Sequence, residues 1–108
     1  MKKHDAHLLF PKHLLELGLE FTAEYRFNDR RRYRLDYIIT NRLKHGLTPA
    51  IELEGGLYVQ GRHTRGAGYQ EDLRKYNLAA AAGFLVFRFS SADVLTGKAK
   101  AFLEEHIT

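Results

Sequence analysis

Three carboxylates in this chain are spaced so that they can converge. Asp36 lies in Arg32-Tyr33-Arg34-Leu35-Asp36-Tyr37-Ile38-Ile39, and Glu52 and Glu54 lie in Ala50-Ile51-Glu52-Leu53-Glu54-Gly55-Gly56. Both stretches alternate with the two-residue period of a β-strand, which separates an apolar face from a polar one. In the second stretch Ile51 and Leu53 share one face, while Glu52 and Glu54 share the other and end at a glycine pair. Carboxylates gathered in this way repel one another unless a cation or basic neighbours neutralise them, and a hard divalent ion such as Mg²⁺ takes oxygen ligands of this kind. Acids on the solvated face of an alternating strand are equally an ordinary protein surface. The company they keep favours chemistry. Gly61-Arg62-His63-Thr64-Arg65-Gly66 and a basic helix follow directly, groups suited to phosphate rather than to a small acidic metabolite.

The elements that must position these residues can be read from the pattern. Helical spacing runs from Ala6 to Leu17, with a helix expected mainly from Pro11 to Leu17 and stopped at Gly18. Glu16 lies on that helix, either near the acids or on a solvated face. Phe21 to Phe27 alternates as a strand, Asn28-Asp29 turns, and Arg30-Arg31-Arg32 leads into the Asp36 strand, which gives an antiparallel hairpin. The three arginines suit either a phosphate backbone or a solvated turn. Asn41 to Thr48 reads as a loop, with Pro49 at the start of the Glu52 strand. Leu57 to Gln60 prolongs that strand before a glycine-rich basic loop from Gly61 to Gly68.

Tyr69 to Ala82 is the clearest helix, with Leu73, Tyr76 and Ala80 as its inward stripe and Glu71 and Lys75 as an i,i+4 surface pair. Phe84-Leu85-Val86-Phe87-Arg88-Phe89 is an apolar run expected to be a strand covered on both faces, with Arg88 its one charge. Ser90 or Ser91 caps a short turn through Leu95, and Thr96 is expected to start a last helix with Ala99, Phe102, Leu103 and Ile107 on its apolar side.

Composition sets the outer bounds. A chain of 108 residues has room for one domain and a single core. It holds 17 Lys and Arg against 13 acids, a net charge of +4 that suits a polyanionic partner. The absence of cysteine excludes disulfides and thiolate metal sites. The first residues carry too few apolar side chains for a signal peptide and no run approaches membrane-spanning length, so a soluble cytoplasmic protein, not secreted, is expected.

The order helix, three antiparallel strands, helix, strand, helix, with acids on the second and third strands, resembles the PD-(D/E)XK, or restriction-endonuclease-like, nuclease superfamily. The likeness is to its very-short-patch-repair endonuclease branch, to homing endonucleases with an EDxHD site and to small nuclease domains common in phage genomes. It covers about residues 20 to 95 and rests on Arg34-Leu35-Asp36-Tyr37, Ile51 to Gly56, Gly61 to Gly66 and Asp72 to Phe89 in correct order. It implies an α/β restriction-endonuclease-like core of order αβββαβ with a C-terminal helix, in a bacterial or phage-infected cell.

It further implies that Asp36 and Glu52 bind a catalytic Mg²⁺ or Mn²⁺, with the Leu53 carbonyl as another ligand. His63 falls where relatives place an active-site histidine, and Asp72 where they place a helix acid. The superfamily's usual lysine, two positions after the strand acid, is Glu54 here. That leaves His63 or Lys75 to position water or stabilise the phosphorane, with Glu54 as an added ligand, and Glu16 as the one match to a first-helix glutamate. Arg32, Arg34, Arg62 and Arg65 would steady the phosphate backbone. The expected activity is a Mg²⁺-dependent endodeoxyribonuclease acting on double-stranded or branched DNA. A DNA-binding module of the same fold without turnover is the alternative that Glu54 motivates, and Holliday-junction resolution would require a homodimer.

Overall fold

α1 spans Lys3–Glu16 in a computed structural model that describes residues 3–55 and 67–108. The helix begins well before Pro11 and carries the proline in its interior, a correction to the expected start. Proline there lacks the N–H that would bond the His7 carbonyl and crowds the preceding turn, at a cost of about 3 kcal/mol or more. Packing offsets this, because Ala6, Phe10 and Leu14 lie on one face of the helix and are fully buried in the main core. Gly18 follows with φ of +75°, a left-handed conformation that a Cβ would oppose.

β1 (Phe21–Asn28), β2 (Tyr33–Ile39), β3 (Thr48–Glu54) and β4 (Phe84–Ser90) form one sheet in that order. β1–β2 and β2–β3 are antiparallel, and β3–β4 is parallel, with α2 (Ala67–Ala81) between them in the chain. α3 (Ser91–Leu95) and α4 (Lys98–Ile107) complete a mixed α/β fold whose central sheet is flanked by helices in the expected order. The main core joins α1, α3 and α4 to one face of the sheet through Ile39, Ile51, Leu53, Val94 and Leu103. A smaller cluster of Leu35, Ile38 and Ala50, with Phe27, Phe84 and Val86 packed on it, occupies the other face. Among the described residues no helix is long and apolar enough to cross a membrane.

Three local expectations change. β4 is less covered than a strand packed on both faces, since Phe84 to Phe87 are only half-buried, and among the described residues it stands at the edge of the sheet; a short apolar run does not encode how fully each face is covered. Thr96 closes α3 instead of opening α4, because its hydroxyl donates back to the Ala92 carbonyl at 2.7 Å. Ser90 caps α3 reciprocally with Asp93, as a capping box, and Gly97 precedes α4. On α2, Leu73 and Ala80 are exposed while Ala79 is fully buried and Lys75 and Tyr76 are half-buried. The inward row is thus rotated from the apolar stripe, and the reason lies in the site described below. The expected strand prolongation over Leu57 to Gln60 and the expected loop as far as Gly66 lie outside the described residues, while Ala67 and Gly68, placed in that loop by the sequence, open α2 instead.

Tyr37 joins the core to the polar end of the sheet. Its ring meets Phe10 at 5.2 Å and Phe21 at 5.7 Å between centroids, and its hydroxyl is 2.8 Å from Nδ1 of His7. Burial, with the charges of Asp36 and Glu24 adding, pushes its phenol up to about 12. A phenol raised above its unfolded value of 10.0 contributes stability that is complete below pH 10 and lost as pH rises through about 12. Unfolding free energies measured across that window should show the wild type losing its advantage over Tyr37→Phe as pH rises; an advantage that stays constant contradicts the assignment.

Candidate functional site

The seam between β2 and β3 opens where the acids sit. Backbone pairing is regular at Tyr37–Ile51 and Ile38–Ala50, and one residue further on the side chains take over. The Asp36 N–H donates to Oε2 of Glu52 at 2.8 Å, and the Leu53 N–H donates to Oδ2 of Asp36 at 2.8 Å. Carboxylates thereby stand where carbonyl acceptors of the ladder would be, and charge-assisted bonds of this kind exceed neutral ones in strength.

The strand pattern slips at the same level. Leu35 packs with Ile38, three residues away, although strict alternation puts them on opposite faces. On β1, Phe21 meets Tyr37 in the main core whereas Tyr25 meets Phe84 on the other face. Between them Glu24 adopts φ of +50°, which costs a non-glycine residue on the order of 1–3 kcal/mol. This slip frees Asp36 from a packed face.

Glu52 is the centre of the arrangement. It is 7% exposed, and its Oε1 accepts from Nζ of Lys75 at 2.6 Å and from the Tyr76 hydroxyl at 2.8 Å. Burial and then the Glu52 charge push the Tyr76 phenol far up, so it remains a donor. Turning α2 to bury Leu73 would draw Lys75 away from Glu52, which accounts for the rotated helix. Lys75 is therefore not the surface partner of Glu71. Glu71 accepts instead from Arg74 at 2.9 Å and from the Tyr33 hydroxyl. Those two bonds, that from Tyr33 the larger, hold the Glu71 carboxyl below its ordinary range and tie the hairpin to α2.

A cleft of about 900 Å³ collects the expected groups. Asp36, Glu52, Leu53 and Glu54 lie on its sheet side, Asp72 and Lys75 on α2, and Arg32 and Arg34 on β2 and the turn before it. Arg34 is paired with Glu24 at 2.9 Å. Arg30 and Arg31 are exposed at the hairpin tip, where Oδ1 of Asn28 accepts the Arg31 N–H at 2.9 Å. Glu54 pairs with Arg88. Glu16 is away from the cleft, exposed and bound to Lys100 at 2.8 Å, which lowers its carboxyl from the ordinary range. Arg62, His63 and Arg65 lie outside the described residues.

Sequence reasoning missed His7, Tyr37, Tyr76 and Arg88 as cleft residues. Nε2 of His7 lies 4.0 Å from Oδ2 of Asp36. Tyr76 was legible as the residue next to Lys75 on the same helix turn, and Arg88 as the lone charge of an apolar strand; His7 carries no local signal, because its place depends on a helix packing across thirty residues of chain.

Among the described residues no group of three or more His, Cys, Asp or Glu gathers as a metal site. The donors present do fit Mg²⁺, which is commonly held by one or two carboxylates together with water and substrate phosphate rather than by an all-protein cage. Asp36 and Glu52 would supply the carboxylates, and the Leu53 backbone, whose N–H bonds Asp36, borders the same seam. Compared with protein-family models, curated proteins and solved structures, the chain finds no match.

The Glu52–Lys75 pair can be tested as a unit. Lys75→Met leaves Glu52 buried without its counter-charge and should cost about 3–5 kcal/mol in urea unfolding. Adding Glu52→Gln should return much of that loss; strictly additive losses would mean that the two side chains do not depend on one another.

Proposed function

We propose that this chain is a metal-dependent endodeoxyribonuclease that hydrolyses phosphodiester bonds in double-stranded or branched DNA. The observation that carries the reading is the Asp36–Glu52 pair, bound to each other's strand with Lys75 neutralising Glu52, in a cleft that Arg32 and Arg34 also line. The resemblance to the PD-(D/E)XK superfamily supports it, since the acids stand on adjacent antiparallel strands as that likeness requires.

Asp36 and Glu52, with the Leu53 carbonyl, would hold Mg²⁺ or Mn²⁺. When bound, the ion supplies charge stabilisation at the phosphoryl oxygen and lowers the pKa of a bound water. The remaining roles belong to the protein. Lys75, which the Glu52 carboxylate fixes on the site, supplies the positive charge that the strand lacks at position 54. Arg32 and Arg34 position the DNA backbone through phosphate contacts, which carry no sequence information. Tyr76 and the Asp36 N–H hold the Glu52 carboxylate from both ends, so the acid pair is preorganised before substrate arrives.

A DNA-binding module without turnover is the second reading, and a specific observation favours it. Glu54 occupies the lysine position, and Lys75 is already engaged by Glu52.

Supercoiled plasmid incubated with Mg²⁺ or Mn²⁺ separates the two. The nuclease reading expects nicked or linear product from the wild type, and at least about a 100-fold loss in Asp36→Ala that keeps its circular dichroism. Binding without cleavage by the wild type would sink that reading and leave the binding module. Cleavage that survives both Asp36→Ala and Glu52→Ala would place the activity elsewhere.

A further inference from the structure

Arg88 is the one charge on β4, and the carboxylate pair does not require it. In the parallel register it lies beside Glu52, and its Nε donates to Glu54. Its guanidinium carbon stands 4.6 Å from the centre of the Tyr76 ring, and Nζ of Lys75 stands 5.3 Å from the same centre. One carboxylate and one aromatic face thus hold the guanidinium in place. The side chain is nonetheless 48% exposed and lines the cleft. Glu54 takes one of five donors, and the two Nη groups have no acceptor among the described residues. A planar fork held in this way is suited to a phosphate in a manner that a flexible ammonium is not.

We infer that Arg88 is a phosphate-contact residue, binding a phosphodiester of the nucleic-acid strand in the cleft next to the position of Lys75, with Glu54 as the group that aims it. The inference rests on the nucleic-acid reading above and adds to it. Position 54 then works through its neighbour: its carboxylate fixes a cation that β4 delivers. A purely structural role is the competing explanation, in which Arg88 does no more than neutralise Glu54.

The two differ in the number of phosphates neutralised. Each phosphate contact on duplex DNA adds about 0.9 to the slope of log affinity against log salt. The experiment measures that slope for the full chain with a short mixed-sequence DNA duplex in EDTA, by fluorescence anisotropy between about 50 and 200 mM salt. Wild type, Glu54→Gln, Arg88→Met and the double variant are compared. We expect the slope to fall by about one from wild type to Arg88→Met and by the same amount from wild type to the double variant. Arg88→Gln, which keeps a donor for Glu54 while losing the charge, gives the same readout if the Met variant does not fold.

A double variant that recovers the wild-type slope overturns the inference, because Arg88 then serves only Glu54. Slopes unchanged in every Arg88 variant overturn it while leaving the nuclease reading intact. A wild type that does not bind the duplex at all removes both.

Discussion

Two backbone N–H groups at the β2–β3 seam, those of Asp36 and Leu53, bond carboxylates rather than carbonyls. The rest of the cleft depends on this exchange. A buried donor left without an acceptor costs about 1–3 kcal/mol, so neither acid can leave without exposing a backbone deficit. Bringing the acids into the seam also brings their charge, and Glu52 is buried. An isolated buried carboxylate is not tolerated without a partner. Lys75 and Tyr76 are that partner, and reaching Glu52 fixes the rotation of α2 over the sheet.

The same constraint explains the irregular strands. A regular ladder would place Asp36 on a packed face. The slip at Asp36 and the left-handed Glu24 beside it on β1 let Leu35 and Tyr25 cross to the second cluster while Tyr37 and Phe21 stay in the first. Strain that a uniform sheet would not carry is concentrated where the charged groups meet, a placement characteristic of functional sites. Around it the charges balance in pairs, Glu52 with Lys75 and Glu54 with Arg88, so that the cleft presents cations held by anions. In the proposed function those cations face phosphate.

How much of this was legible in the sequence follows from the range of the interactions. The two-residue period placed Ile51 and Leu53 in the core and Glu52 on the opposite side, because alternation is local and β3 is regular. The hairpin, the order of elements along the chain and the capping of α3 by Ser90 were likewise written in neighbouring residues. The α2 stripe was not, because apolarity alone favours burying Leu73 and only the distant Glu52 reverses it. Pro11 misled for a similar reason: its local cost is plain in the sequence, while the burial of Ala6 and Phe10 that offsets it is tertiary. His7 reaches the cleft through that same extended helix, so losing the helix start meant losing the histidine.

The most direct test of the central claim is whether the acid pair binds a divalent ion in the folded protein. Thermal unfolding with and without Mn²⁺, in the absence of DNA, reads this without relying on turnover, because an ion that binds only the folded state raises the midpoint. The Asp36–Glu52 centre predicts a midpoint that rises with Mn²⁺ in the wild type and stays fixed in Asp36→Ala. An unmoved wild type, or an equal rise in both proteins, would contradict it.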